Sequence, residues 1–163
     1  MSLQSFSIWL ANTPASLLIQ TTTWVIPTVQ TIHILCIAIV ISAVLLVHLN
    51  TLGLAMRGFT GAQLATRFLP GLWWAVLVLL ASGSILIVAE PLRSLPNGMF
   101  QLKMLLLIVA IALTLLYQTP LRKEAAHWEA TPVRRLNARA IAVVSLIVWV
   151  CIVFAGRWIA YAS

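Results

Sequence analysis

Four apolar runs, each close to the length of a bilayer crossing, constrain this chain more than any other feature: about residues 24–49, 69–88, 100–117 and 138–160. A helix needs about 20 apolar residues to cross roughly 30 Å of hydrocarbon. Helices also satisfy their backbone hydrogen bonds internally, as lipid requires. Of the 163 residues, 62% are hydrophobic and only 8% charged, too little charge for the surface of a water-soluble domain. The expectation is an all-α membrane protein with a single integral domain, residues 1–163, forming an up-down-up-down bundle of four transmembrane helices. Trp24, Trp73, Trp74, Tyr117 and Trp158 stand at or near the run ends, where aromatic belts collect. Ala81, Ser82, Gly83, Ser84, Ala110 and Ala112 allow close helix contacts.

Residues 1–22 carry no charge and are moderately apolar. Thr13–Pro14 reads as a helix start, Thr13 the cap and Pro14 the first helical position. One or two short helices are expected here, lying at the membrane surface or packed as a lid over the bundle. The opening "MSLQSFSIWLANTP" lacks the basic start and apolar run of a signal peptide, so it is expected to stay on the protein.

The net charge of +7 does not point to nucleic acid, because the basic residues sit in short loops between apolar runs. Loop 50–68 carries Arg57 and Arg67. Loop 118–137, with the first residues of the fourth run, carries Arg122, Lys123, Arg134, Arg135 and Arg139. The opposite side has Arg93, Lys103 and Arg157. The positive-inside rule places the two basic loops in the cytoplasm and both termini outside, which in a bacterial inner membrane means the periplasm. Cys36 and Cys151 lie within apolar runs and suggest neither a disulfide framework nor a CxxC site.

His33 and His48 are the ionisable surprise of the first run. Fifteen residues apart, they lie roughly 22 Å apart in depth and broadly on one face, so they cannot share one metal ion. Gln30 and Cys36 flank His33 by one turn each. His48 falls near the inner boundary, where headgroups and water can satisfy it. Three readings suit His33: an axial ligand to a b-type haem, a proton relay or quinone contact, or a structural imidazole bonded to a neighbouring helix. The spacing to His48 is one residue off the helix pattern by which membrane cytochromes stack two haems. The other three runs contain no histidine. A sixth ligand at His33 therefore means Met104 or a second subunit, and His127 is the remaining partner for His48.

The outer-side charges Glu90, Arg93, Lys103 and Arg157 gather near helix ends. They form either a membrane-edge ion-pair network, with Arg157 on Glu90, or a site for an anionic group such as a haem propionate, a quinone or a lipid headgroup. Pro96–Asn97–Gly98 reads as a turn before the third helix. Met99 and Met104 admit copper as a weaker alternative, since thioethers suit Cu(I). No Ser/His/Asp loop arrangement, carboxylate pair or Gly-rich phosphate loop is present.

"QTIHILCIAIV" followed by "LNTLGLAMRG", then "RFLPGLWWAVLVLLASGSILIVAEP", "LPNGMFQLKMLLLIVAIALTLLY" and "WVCIVFAGRWIAY", resembles an uncharacterised family of small bacterial four-helix membrane proteins. The likeness runs from about Ser5 to Tyr161 and covers His33, Glu90, Asn97, Lys103 and Arg157. That family is distantly similar to copper-resistance-type and b-type cytochrome bundles. Its pattern more often carries acidic and basic residues around His48–Asn50, so the resemblance implies one site, near His33. The resulting expectation is a homo-oligomeric membrane protein with haem b on His33 and Lys103 and Arg157 at its propionates. It would carry electrons between the quinone pool and a periplasmic redox partner. The rival is a cofactor-free protein: a small transporter, copper-handling subunit or assembly partner.

Overall fold

A computed structural model of the protein describes residues 3–159 and Tyr161, and among these all regular structure is helical. Two short helices, α1 (Leu3–Ala11) and α2 (Pro14–Thr21), precede the long helix α3 (Val25–Thr51). Then come α4 (Gly61–Ala89), the single turn α5 (Pro91–Ser94), α6 (Gly98–Lys123) and α7 (Pro132–Trp158). The four long helices carry apolar windows of mean hydropathy 2.7, 2.3, 2.3 and 2.5 and are long enough to span a membrane.

Local chemistry sets their ends. The Thr13 side chain caps α2 through Ser16 N, with Pro14 in its first turn. Thr60 and Gln63 form a reciprocal capping box that starts α4. Asn97 Oδ1 accepts from Met99 N and Phe100 N to start α6, and Thr131, with Pro132 behind it, starts α7. The helices outrun the apolar runs: α4 begins at Gly61 rather than near residue 69, α6 continues to Lys123, and α7 begins at Pro132 rather than near 138. Hydropathy marks the part of a helix that suits hydrocarbon, whereas caps mark where the backbone starts and stops.

In the bundle α3 packs against α4 and α7, and α6 packs against α7. Val40, Leu72, Val76, Ala110, Trp149 and Ile152 belong to one buried cluster, and Val47, Leu64, Tyr117 and Ala138 form a second towards one end. His33 meets Ser82 at the other end, so α3 and α4 run antiparallel. Polar bridges tie the helices together. Trp73 Nε1 donates to Gln118 Oε1 at 2.8 Å, linking α4 to α6, and Trp128 Nε1 donates to the Tyr117 carbonyl at 3.0 Å. The short helices attach to the far end of α4, where Ser16 Oγ and Gln20 Nε2 donate to the Val88 and Ala89 carbonyls. These are carbonyls that a helix C-terminus leaves unsatisfied.

The outward faces are apolar. Ile34, Leu35, Ile108 and Val150 are 60–67% exposed, a surface that water would disfavour and lipid accepts. The chain is thus a membrane protein built as a helical bundle in contact with the bilayer.

Replacing Trp73 with Phe keeps the packing but strands Gln118, which is buried. The expected loss is roughly 0.5–2 kcal/mol, measured as a shift in reversible unfolding in mixed micelles. A second change, Gln118→Leu in the Trp73→Phe background, should recover part of it.

Candidate functional site

His33 is the best-organised polar side chain within the membrane-spanning part. Its Nδ1 lies 2.7 Å from Ser82 Oγ on α4. Ser82 Oγ is also 2.7 Å from the Val78 carbonyl. A hydroxyl has one proton, and a carbonyl can only accept it. Were that proton turned towards the ring, Ser82 Oγ and Val78 O would face each other as two acceptors at 2.7 Å. The Ser82 proton therefore goes to Val78 and Nδ1–H donates to Ser82, which in a neutral ring leaves the lone pair on Nε2. An imidazole fixed through one nitrogen by a second residue, with the other bare, is the state in which histidine binds metal.

Gly83, next to Ser82 on α4, faces the ring. A Cβ at Gly83 would stand 3.6 Å from His33 Cε1. Lys103, on α6, lays its stem along α7: a Cβ at Gly156 would meet its Nζ at 3.6 Å and Cδ and Cε at 3.7 Å. The Lys103 ammonium is within electrostatic range of the His33 ring. It is half-buried and forms no ion pair among the described residues. One end of the bundle thus holds an imidazole bonded through one nitrogen and, within electrostatic range, a lysine with no ion-pair partner among the described residues.

Other expected residues are arranged differently. Arg157 does not meet Glu90. Its Nη2 donates to Tyr161 Oη at 3.0 Å and its guanidinium lies over the Tyr161 ring, while Glu90 pairs with Arg93 one turn away at 3.0 Å. The neighbour in sequence wins because an i,i+3 pair needs no bridge between helices. Met104 follows Lys103 on α6 and is half-buried. Gln30 is exposed and Cys36 is buried in the core, so they do not form one stripe with His33. Among the described residues no group of three or more His, Cys, Asp or Glu side chains is placed to hold a metal ion.

His48 is packed more deeply than its position near the end of the apolar run suggests. It is 4% exposed, its ring meets Tyr117 edge-on at 5.4 Å, and its Nδ1 has no hydrogen-bond partner. Tyr117 stacks on Trp128, which in turn meets His127. His127 therefore reaches His48 only through two aromatic rings, and its own Nδ1 lies 3.4 Å from Glu124 Oε2. Two further buried polar atoms without partners, Ser145 Oγ and Trp149 Nε1, lie one turn apart in the middle of α7. Sequence reasoning passed over them because a serine and a tryptophan do not interrupt an apolar run. Their i,i+4 spacing was the available signal.

The tautomer is directly measurable. In the full chain labelled with 15N-histidine, His33 should show a protonated Nδ1 and an unprotonated Nε2. Ser82→Ala should abolish that preference, and a protonated Nε2 in the unaltered chain would contradict the hydrogen-bond assignment.

No curated protein and no solved structure matches this chain. One family model does, over residues 9–162, nearly the whole chain. Its description offers no activity to carry over. The chain belongs to the family of unknown function DUF6644.

Proposed function

We propose that this protein holds a b-type haem on His33 and carries electrons in a bacterial inner membrane, between the quinone pool and a partner on the outer side. The observation that carries the reading is the His33–Ser82–Val78 relay, which leaves Nε2 as a free ligand. Ser82 folds back on Val78 as other hydroxyls of the long helices do, and this leaves its oxygen to accept from the ring and hold the ring's orientation.

The surrounding residues suit the group. Lys103 supplies a cation for a carboxylate, one with no ion-pair partner among the described residues and within electrostatic range of the ring. Arg157 follows Gly156 and is exposed near the end of α7, suited to a second carboxylate. Haem supplies a one-electron couple whose potential follows from axial ligation and burial. The part played by this chain is to fix the ring, neutralise the carboxylates and keep water away. One imidazole provides one ligand. A second ligand would come from Met104 or from a second copy of the chain, and the latter would make the protein a homo-oligomer. The arginine-rich loops orient the bundle with the His33 end towards the periplasm, and both termini lie on that side.

The test is optical. Chain purified in mild detergent from cells supplied with haem precursor should show a Soret band that shifts on dithionite reduction. The band should vanish in His33→Ala, and Ser82→Ala should weaken haem binding by roughly 10–100-fold. A colourless preparation, or a band untouched by His33→Ala, would favour the cofactor-free alternative. A reporter fused after Ser163 should be active in the periplasm, and cytoplasmic activity would reverse the orientation.

A further inference from the structure

At the end of the bundle away from His33, a cavity of about 270 Å³ opens between the α3–α4 connection, the last turns of α6 and the first turns of α7. Three arginines line it, Arg57, Arg135 and Arg139, against one carboxylate, Glu129. None of the four takes part in an ion pair among the described residues. Backbone holds two of the guanidiniums: Arg57 Nε donates to the Gly53 carbonyl at 3.0 Å and Arg135 Nη2 to the Glu129 carbonyl at 3.3 Å. Each still has several N–H donors uncommitted. Arg139 has no hydrogen-bond partner among the described residues.

The walls are built to keep this space. Asn50 Nδ2 donates to the Met56 and Phe59 carbonyls at 2.9 and 3.0 Å, pinning the α3–α4 connection, where Gly53 takes a φ of 75° that few other residues tolerate. Tyr117 is 2% exposed, with its hydroxyl 2.7 Å from Thr51 Oγ1. Gly61 offers no side chain, and a Cβ there would stand 3.1 Å from that hydroxyl. A pinned loop and a fixed floor thus border an open cavity lined by three exposed arginines, with Glu129 the one carboxylate in its lining.

We propose that this cavity binds a phosphate group, carried by an anionic lipid headgroup or by a small phosphorylated solute. Guanidinium forks match phosphate oxygens two at a time, and basic pockets between helices at a membrane surface are suited to lipid phosphates. Net positive lining selects an anion, and several forks around one small space select a multidentate one. This inference does not depend on the reading of the His33 site.

The experiment is an arginine footprint on the full chain in nanodiscs. Phenylglyoxal modification is followed residue by residue by mass spectrometry, at constant ionic strength, in three preparations. These are phosphatidylcholine alone, phosphatidylcholine with inorganic phosphate, and phosphatidylcholine mixed with phosphatidylglycerol. Arg57, Arg135 and Arg139 should react roughly fivefold or more slowly with a phosphate source present, while Arg122, which does not line the cavity, is unchanged. Protection by inorganic phosphate identifies a soluble ligand, and protection by phosphatidylglycerol alone identifies a headgroup. Arg139→Gln removes a group with no protein partner, so the fold should tolerate it. It should raise the concentration of phosphate source needed to protect Arg57 and Arg135 by about tenfold. Equal slowing of Arg122 and the cavity arginines, no slowing in either arm, or unaltered protection in Arg139→Gln would each overturn the proposal.

Discussion

Hydrocarbon gives a polar atom nothing to bond, and that constraint organises the bundle. Every donor carried into the four long helices must find a partner on its own helix, on a neighbour or in a ligand. Most do so in one of two ways. Serine and threonine hydroxyls fold back on the preceding turn, as Thr114 does on Ala110 at 2.8 Å. Aromatic and amide groups reach across, as Trp73 does to Gln118. His33 combines the two, because its partner Ser82 is itself anchored one turn back on Val78. His48, Ser145 and Trp149 each keep a buried atom unbonded, a cost that the rest of the interior avoids.

The two ends of the molecule solve different problems. At the His33 end charge is scarce: Lys103 is isolated, Arg157 turns to Tyr161, and Glu90 is occupied by Arg93. Lys103 thus has no anionic partner among the described residues, and in the proposed function a haem carboxylate would be that partner. At the other end charge is abundant, and Arg57, Arg135 and Arg139 converge on a formed cavity with a rigid floor.

What could be read from the sequence follows from the range over which each signal acts. Four spans were legible because hydropathy integrates over a whole helix. Thr13–Pro14 was legible because capping involves neighbours a few residues apart. The full lengths of α4, α6 and α7 were not, since α4 and α7 start at the caps Thr60–Gln63 and Thr131, and α6 runs through Pro120 to Lys123 beyond its apolar stretch. His33 stood out as an ionisable group in an apolar run, but its tautomer depends on Ser82, 49 positions away. The burial of His48 depends on Tyr117, which arrives from α6. The cavity draws its arginines from both basic loops, and one-dimensional charge counting assigns those residues to topology alone.

The account turns on what His33 Nε2 touches. A high-resolution map of the chain, purified from membranes grown with haem precursor, reads this directly. The account requires Nδ1 to remain on Ser82 while Nε2 meets the iron of a flat macrocycle, with a carboxylate of that group near Lys103. A ring in contact with protein atoms only would contradict it, leaving the helical scaffold and its arginine-lined cavity.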